Sequence, residues 1–204
     1  REIKDTKERI LDRALYLFGK NSTFNVPVRT IIKEANVNIS AINYYFGTKD
    51  NMILKVKEFY ADNIYKAYEA LDNEELSLKE RILECANDIM EYSIRYPGVL
   101  IMNKMALESE EKDEFDIKII ENLDIVNKKL NSVIIELTSE EDFIIKKSMF
   151  MSSILYPLIS DSYDSVGDEI KNSKEKRIEY IESVINILSP IFNFLLFEKN
   201  LPFL

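Results

Sequence analysis

The chain has 204 residues, 46% of them hydrophobic, with 4 Gly, 5 Pro, one Cys and no His. This excludes a linker-rich or disordered chain, an intrachain disulfide or cysteine metal cluster, and every mechanism that needs an imidazole as base, nucleophile partner or metal ligand. The net charge of −9 hides an asymmetry: residues 1–58 hold 11 Lys/Arg against 7 Asp/Glu, and the remainder holds 16 against 29. A basic end on an acidic body is the pattern expected when one end meets a polyanion.

The periodicity is helical throughout and predicts an all-α chain. Residues 5–19 form the first helix, with Ile10, Ala14, Leu17 and Phe18 as its core-facing stripe. Lys4, Lys7, Arg9 and Arg13 supply positive charge along it, either as a solvated face or as phosphate contacts. Val28–Ala35 is a short helix whose apolar face is Ile31, Ile32 and Ala35. Asn36-Val37-Asn38 is a tight turn, with Asn36 suited to positive φ and Asn38 to capping the next helix. That helix, Ile39–Phe46, ends at Gly47, and Thr48 caps a further one.

Two short helices joined by a tight turn form a helix-turn-helix, the second being of a size to enter a DNA major groove. Ile42 and Phe46 point inward, which leaves Ile39, Ser40, Asn43, Tyr44 and Tyr45 outside. This uncharged face of amide, hydroxyl, phenol and aliphatic groups suits base edges and phosphates. Asn43 is a candidate for adenine readout or a phosphate contact, and Tyr44 and Tyr45 for phosphates or a thymine methyl. Val28 and Arg29 open the preceding helix, where the guanidinium suits a phosphate or a guanine. Lys49 opens the fourth helix, whose N-terminal dipole end already favours an anion.

The run IIKEANVNISAINYYFGTKDNM resembles the DNA-binding signature of the tetracycline-repressor (TetR) family, and Ala41–Lys49 matches the family variant Ala-Ile-Asn-Tyr-(His/Tyr)-Phe-Gly-x-Lys at each named place. ILDRALYLF (Ile10–Phe18) is similar to the family's first helix. The chain departs from the pattern at four places. The turn glycine is Asn36, Asn21-Ser22-Thr23 stands where glycine follows the first helix, Val26-Pro27 replaces the small polar opening of the second, and Ile32 replaces an alanine. Phe24 is the expected packing aromatic, and a side-chain cap for the second helix comes from Asn25 or is missing.

After Asp50 the expected elements are a long amphipathic helix through Leu71, a helix from Ser77 to Tyr96, a short one at Val99–Leu107 and a long one at Glu111–Leu137. Glu84, Asp88, Glu91 and Arg95 read as one solvated face, and the acidic run around Glu108–Asp116 as a solvated helix start. Ser139–Tyr163 and Lys174–Phe197 are apolar on more than one face, with a polar loop at Asp164–Ser173 between them. Helices of this kind are either deeply buried or form a two-fold dimer interface. The resemblance favours the dimer, with Ile154, Leu158, Ile181, Ile185, Leu188 and Phe192 as interface candidates.

The resemblance implies an N-terminal three-helix DNA-binding domain at 1–48, then a larger helical effector-binding and dimerisation domain at 49–204. It also implies a small-molecule pocket, with Tyr60, Met90, Met102, Met105, Phe115, Met149 and Tyr156 as candidate lining. The expected protein is a cytoplasmic homodimer without a cofactor, metal, membrane span or enzymatic activity. It binds a palindromic duplex operator and is released by an effector, by default as a repressor. The alternative is a small-molecule-binding helical dimer whose helix-turn-helix does not bind DNA.

Overall fold

The computed structural model describes residues 5–138, 143–159 and 165–188, and these residues form helices without strands. The elements are α1 (Thr6–Lys20), α2 (Val28–Glu34), α3 (Ser40–Tyr45), α4 (Lys49–Ala61), a 3-10 helix (Ile64–Asp72), α5 (Leu78–Arg95), α6 (Val99–Glu108), α7 (Glu114–Thr138), α8 (Phe143–Ile159), α9 (Ser165–Asn172) and α10 (Lys174–Leu188). They group into two compact units. The first takes Arg1–Tyr65 with Arg95–Asp124, the second Lys66–Ile94 with Ile125–Leu204. The first runs past residue 48 because α4 packs on α1, and α6 packs on both.

In the first unit α1 is the central element. Asp5 caps it, accepting from the Glu8 N–H at 2.7 Å. Ile10, Ala14, Leu17 and Phe18 are buried as their spacing requires, together with Leu11 and Leu15. Phe24 meets Phe18 edge-on at 4.9 Å between ring centroids. Ser22 takes φ 50 just past the helix, and Thr23 N–H then reaches the Phe18 carbonyl at 3.1 Å. Ser22 therefore fills the left-handed position that usually holds glycine.

Near its end α1 meets the start of α6 backbone to backbone. A Cβ on Gly19 would lie 1.9 Å from Gly98 N and 2.1 Å from the Pro97 carbonyl carbon, and one on Gly98 would lie 2.2 Å from the Leu15 carbonyl oxygen. Both positions need glycine because the opposing atoms are backbone.

Two turns before Gly19, Asp12 is wholly buried. Its carboxylate accepts from Tyr96 Oη at 2.5 Å, Arg95 Nη2 at 3.0 Å, and Arg13 Nε and Nη2 at 2.8 and 2.5 Å. Burial disfavours the charged form. The bonds from Tyr96, Arg13 and Arg95 and the Arg13 charge outweigh it, holding the carboxyl below its ordinary 3.8. Arg95 is thus an ion-pair partner and not part of a solvated face.

Two other expectations in this unit change. The helix after Asp50 does not run through to Leu71. It breaks at 62–63, where Asn63 Nδ2 bonds the Phe59 carbonyl at 2.5 Å and Asn122 Nδ2 the Ala61 carbonyl at 2.9 Å, so side chains take the place of the next helical turn. The acidic run is not wholly solvated either. Asp113 caps the start of α7 by accepting from Phe115 and Asp116 N–H, and Lys57 bonds both Asp113 and the buried Asp116 at 2.7–2.9 Å. Burial of Lys57 acts against its charge, but the two carboxylates overcome it and raise its pKa.

The second unit has its own core, built from α5, α7, α8, α9, α10 and the 3-10 helix. Ile82, Ala86, Ile89, Met90, Leu130, Ile134, Phe150, Ile154, Ile181 and Ile185 are among its members. A capping box starts α5: Ser77 N–H bonds Glu80 Oε2 at 2.8 Å and Glu80 N–H faces Ser77 Oγ at 3.4 Å. Cys85 is buried with its Sγ 3.4 Å from the Ala67 carbonyl, and burial pushes its thiol up. Within the expected polar loop at 164–173 lies a helix, α9. Ile170 is buried in the core, and Arg177, itself buried, bonds the Ile170 carbonyl and Asn87 Oδ1 at 3.1 and 3.2 Å. A two-turn helix with one anchoring apolar residue leaves too short a pattern to separate from a loop.

Gly19→Ala is expected to destabilise the protein by about 1–3 kcal/mol, the usual range for forcing extra volume into a closed contact, measured by urea unfolding. Asp12 should also dominate acid stability. A carboxyl with a lowered native pKa stabilises above its unfolded value of 3.8, and that contribution disappears as pH falls through the lower native value. Asp12→Asn should therefore cost on the order of 3 kcal/mol at neutral pH and flatten the stability profile below pH 3.8, read from unfolding midpoints across pH.

Candidate nucleic-acid interface

The turn between α2 and α3 is made by backbone geometry. Ala35 N–H closes on the Ile31 carbonyl at 2.8 Å, Asn36 adopts φ 52, and Val37 N–H bonds the Ile32 carbonyl at 3.0 Å. Asn36 thus serves as the left-handed residue that ends α2. Asn38 then supplies the cap for α3, its Oδ1 accepting from Ser40 N–H at 3.1 Å. Gly47, at φ 72, ends α3, and Thr48 caps α4 by accepting from Asn51 N–H at 3.1 Å. α2 has Pro27 at its cap position and no side-chain cap. Asn25 instead turns to α4, its Oδ1 standing 3.4 Å from Lys49 Nζ.

These local choices decide which side chains α3 shows. Ile31, Ala35, Ile42 and Phe46 are buried and seat the helix pair on α1. Ser40, Asn43, Tyr44 and Tyr45 are exposed, as is Ile39 at the helix entrance. Tyr44 is 82% exposed and meets Tyr45 edge-on at 4.9 Å. Tyr45 is the less exposed of the two phenols and also leans on Phe46, at 6.2 Å between centroids. Arg29 is exposed in the first turn of α2, beside the half-buried Val28, and the half-buried Lys49 begins α4. The bond from Lys49 to Asn25 sets the start of α4 beside the chain that leads into α2. All eight predicted DNA-contact positions therefore belong to one helix-turn-helix and its flanking helix starts. A neutral exposed face with cationic groups at neighbouring helix starts is an arrangement chemically suited to phosphate at the cations and to base edges at the uncharged groups.

Sequence reasoning missed Asp12, and it offered Asn25 as a cap for α2 where the structure makes it a partner of Lys49. Asp12 gave one signal, a carboxylate set within the apolar run Ile10-Leu11 and Ala14-Leu15 of α1. Arg13, next to it, lies 5.0 Å over the Tyr16 ring and 4.0 Å from Glu34 of α2, so it is engaged within the protein and is not a free phosphate contact.

The pocket candidates do not assemble as expected. Tyr60 is buried and donates to Asn103 Oδ1 at 2.5 Å. Met90 and Met102 are core residues, Phe115 is half-buried, and Met105, Met149 and Tyr156 face solvent. A shallow cavity of about 230 Å³ lies between α9 and α10, lined by Val166, Glu169, Ile170, Lys176, Glu179, Tyr180 and Ser183. None of the seven candidates is among its lining.

The interface candidates also need correction. Ile154, Ile181, Ile185 and Leu188 are buried in the core of the second unit, and Leu158 packs partly against it. Phe192 lies outside the described residues. The apolar side chains that α8 leaves exposed are Ile144, Ile145, Met149 and Tyr156, and α10 exposes Ile187 at 55%. Both helices are apolar on two faces, and the structure assigns Ile154, Ile181, Ile185 and Leu188 to the inner one. No helix among the described residues is long and apolar enough to cross a membrane.

Comparison with known proteins agrees with this geometry. The family described as bacterial regulatory proteins, tetR family, matches residues 10–56, from the middle of α1 into α4. The probable HTH-type transcriptional regulator YttP of Bacillus subtilis (strain 168) is 30% identical over 91 residues, 43% of each chain, so the match spans less than half of that relative. Two solved structures share the fold across almost the whole chain. One is the TetR-family regulator PfmR of Thermus thermophilus, with TM-score 0.60 and 16% identity, covering 92% of this chain and 97% of that one. The other is a TetR-family transcriptional regulator from Streptomyces coelicolor, with TM-score 0.58 and 14% identity, covering 90% and 96%. Residues 10–56 thus match the tetR family of bacterial regulatory proteins, and the chain shares the fold of these two solved regulators.

Proposed function

We propose that this protein is a dimeric, one-component transcriptional regulator that binds a palindromic DNA operator, one α3 helix per half-site. The observation that carries the reading is the exposed, uncharged face of α3, Ile39, Ser40, Asn43, Tyr44 and Tyr45, held between the cationic starts of α2 and α4. Arg29 and Lys49 grip phosphates on either side of the groove. Asn43 and its neighbours meet the base edges. The excess of positive charge in residues 1–58 is small, and pairing two copies doubles it. An effector held in the helical body changes the spacing of the two recognition helices, and the default outcome is relief of repression. Such a protein acts in the cytoplasm, where its operator is.

The second copy docks against the exposed apolar stripe of α8. Ile145, Met149 and Tyr156 recur there at i, i+4 and i+11, with Ser152 between them at i+7. All three apolar side chains are well exposed in the single chain, with Tyr156 at 66%. Exposed apolar stripes of this kind support an isologous helix-on-helix contact.

Gel-shift titration of DNA from upstream of the protein's own gene, in a salt series, tests the central reading. Binding should weaken steeply with salt. Arg29→Ala and Lys49→Ala should each lower affinity on all sequences and reduce the salt slope by about one for each phosphate no longer gripped; unchanged affinity would show the surface to be wrong. The dimer has its own test. Met149→Glu with Tyr156→Glu, both exposed and so tolerated by the fold, should turn the particle into a monomer by light scattering and abolish binding to the palindrome at concentrations that saturate the parent.

A further inference from the structure

We infer that α3 selects A·T base pairs and reads them largely through the thymine methyl group. This rests on the proposed DNA-binding role and adds the sequence class of the operator to it.

The argument comes from what α3 carries and what it lacks. The helix has six residues, so it is about 9 Å long and covers about three base pairs at roughly 3.4 Å each. The groups available over that length are the Ile39 aliphatic chain, the Ser40 hydroxyl, the Asn43 carboxamide and the Tyr44 ring and hydroxyl, all solvent-exposed. The cap of α3 uses the Ser40 N–H and Asn38 Oδ1 and leaves the Ser40 hydroxyl outside it. Tyr45 is the less exposed phenol, packed against Phe46 at the border of this face, and is suited to a phosphate rather than a base.

Each base pair offers the major groove a different set of partners. Guanine shows two acceptors, N7 and O6, which a guanidinium or ammonium answers best. α3 has neither. Cytosine shows a single amino donor, best met by a carboxylate, and α3 has none. Adenine shows an acceptor and a donor side by side, the complement of the Asn43 carboxamide. Thymine shows an acceptor and a methyl, and the methyl is the one apolar group in the groove. Ile39 is 49% exposed and Tyr44 82% exposed. Apolar surface left in water at a groove-facing position gains by covering that methyl. Every group on the face thus has a partner on an A·T pair, and the strong readers of G·C are absent. Arg29, the guanidinium nearest in sequence, sits at the start of α2 and so places any guanine contact at the flank of the half-site.

The test uses the full-length protein. Duplexes are selected from a random-sequence pool, and thymines in the selected half-sites are then replaced by deoxyuridine, which removes only the methyl. The expected result is half-sites with consecutive A·T pairs at the positions whose selection relaxes in Asn43→Ala. Deoxyuridine replacement should weaken binding about three- to tenfold, and Asn43→Ala should weaken the preference for adenine about tenfold. Ile39→Ser should keep salt-dependent duplex binding but lose most of the difference between thymine and deoxyuridine. Selected half-sites with G·C at those positions, or affinity indifferent to deoxyuridine, would overturn A·T readout while leaving DNA binding intact. No duplex binding from the pool at low salt would overturn the DNA-binding role and this inference together.

Discussion

The buried carboxylate of Asp12 is the constraint around which the first unit is arranged. An ionised carboxylate removed from water is costly unless its oxygens are filled with donors. Here the donors come from its neighbour Arg13 and from Arg95 and Tyr96, more than eighty positions later in the chain. Satisfying one group therefore joins α1 to the end of α5 and to the residues that lead into α6. Two turns further along α1, Gly19 and its partner Gly98 allow the same two segments to touch through backbone. Polar contact sets the register, and the absence of side chains sets the distance. Since α2, α3 and α4 also pack on α1, the direction in which the recognition face points is inherited from this helix.

The electrostatics of the binding end are economical. α3 has no charge of its own, and the cations sit at helix starts, where backbone N–H groups already favour an anion. Arg13, a basic residue that composition alone assigns to the positive surface, is engaged with Asp12, Tyr16 and Glu34. Fewer free cations are left at this surface than a count suggests. On the proposed DNA-binding role, selectivity for sequence comes from shape, amide geometry and methyl contacts.

In the second unit polar groups are used differently. Arg177 is buried beside Asn87 and the Ile170 carbonyl, and it ties α9 and α10 to α5. Lys147 of α8 donates to Asn127 and Asn131 of α7, with the Asn131 bond at 2.6 Å, and burial lowers its pKa. Each is a long cationic side chain that bonds amide or carbonyl oxygens across helices, in a region that is otherwise strongly acidic.

Local chemistry was legible in the amino-acid sequence. The helix-turn-helix, its left-handed Asn36, the Asn38, Thr48 and Ser77 caps and the outward set on α3 all follow from residue type and a 3.6-residue period, which act within a few positions of one another. The break at 62–63 was not legible, because the group that takes the Ala61 carbonyl is Asn122, sixty-one positions away. α9 was hidden because two turns with one anchor are too short to show a period. The two apolar faces of α8 and α10 were visible as a composition, but only packing decided that Ile154, Ile181 and Ile185 turn inward while Met149, Tyr156 and Ile187 remain outside. Asp12 belongs to the same class. A carboxylate on an amphipathic helix reads as solvated until distant donors are brought to it, and that information is carried by the tertiary contacts and not by the neighbours in the chain. The sequence by itself determined the fold class and the recognition helix, since both rest on short-range periodicity and capping. The tertiary structure decided burial, partners and the true surface, since these depend on which segments, far apart in the chain, come to share the same space.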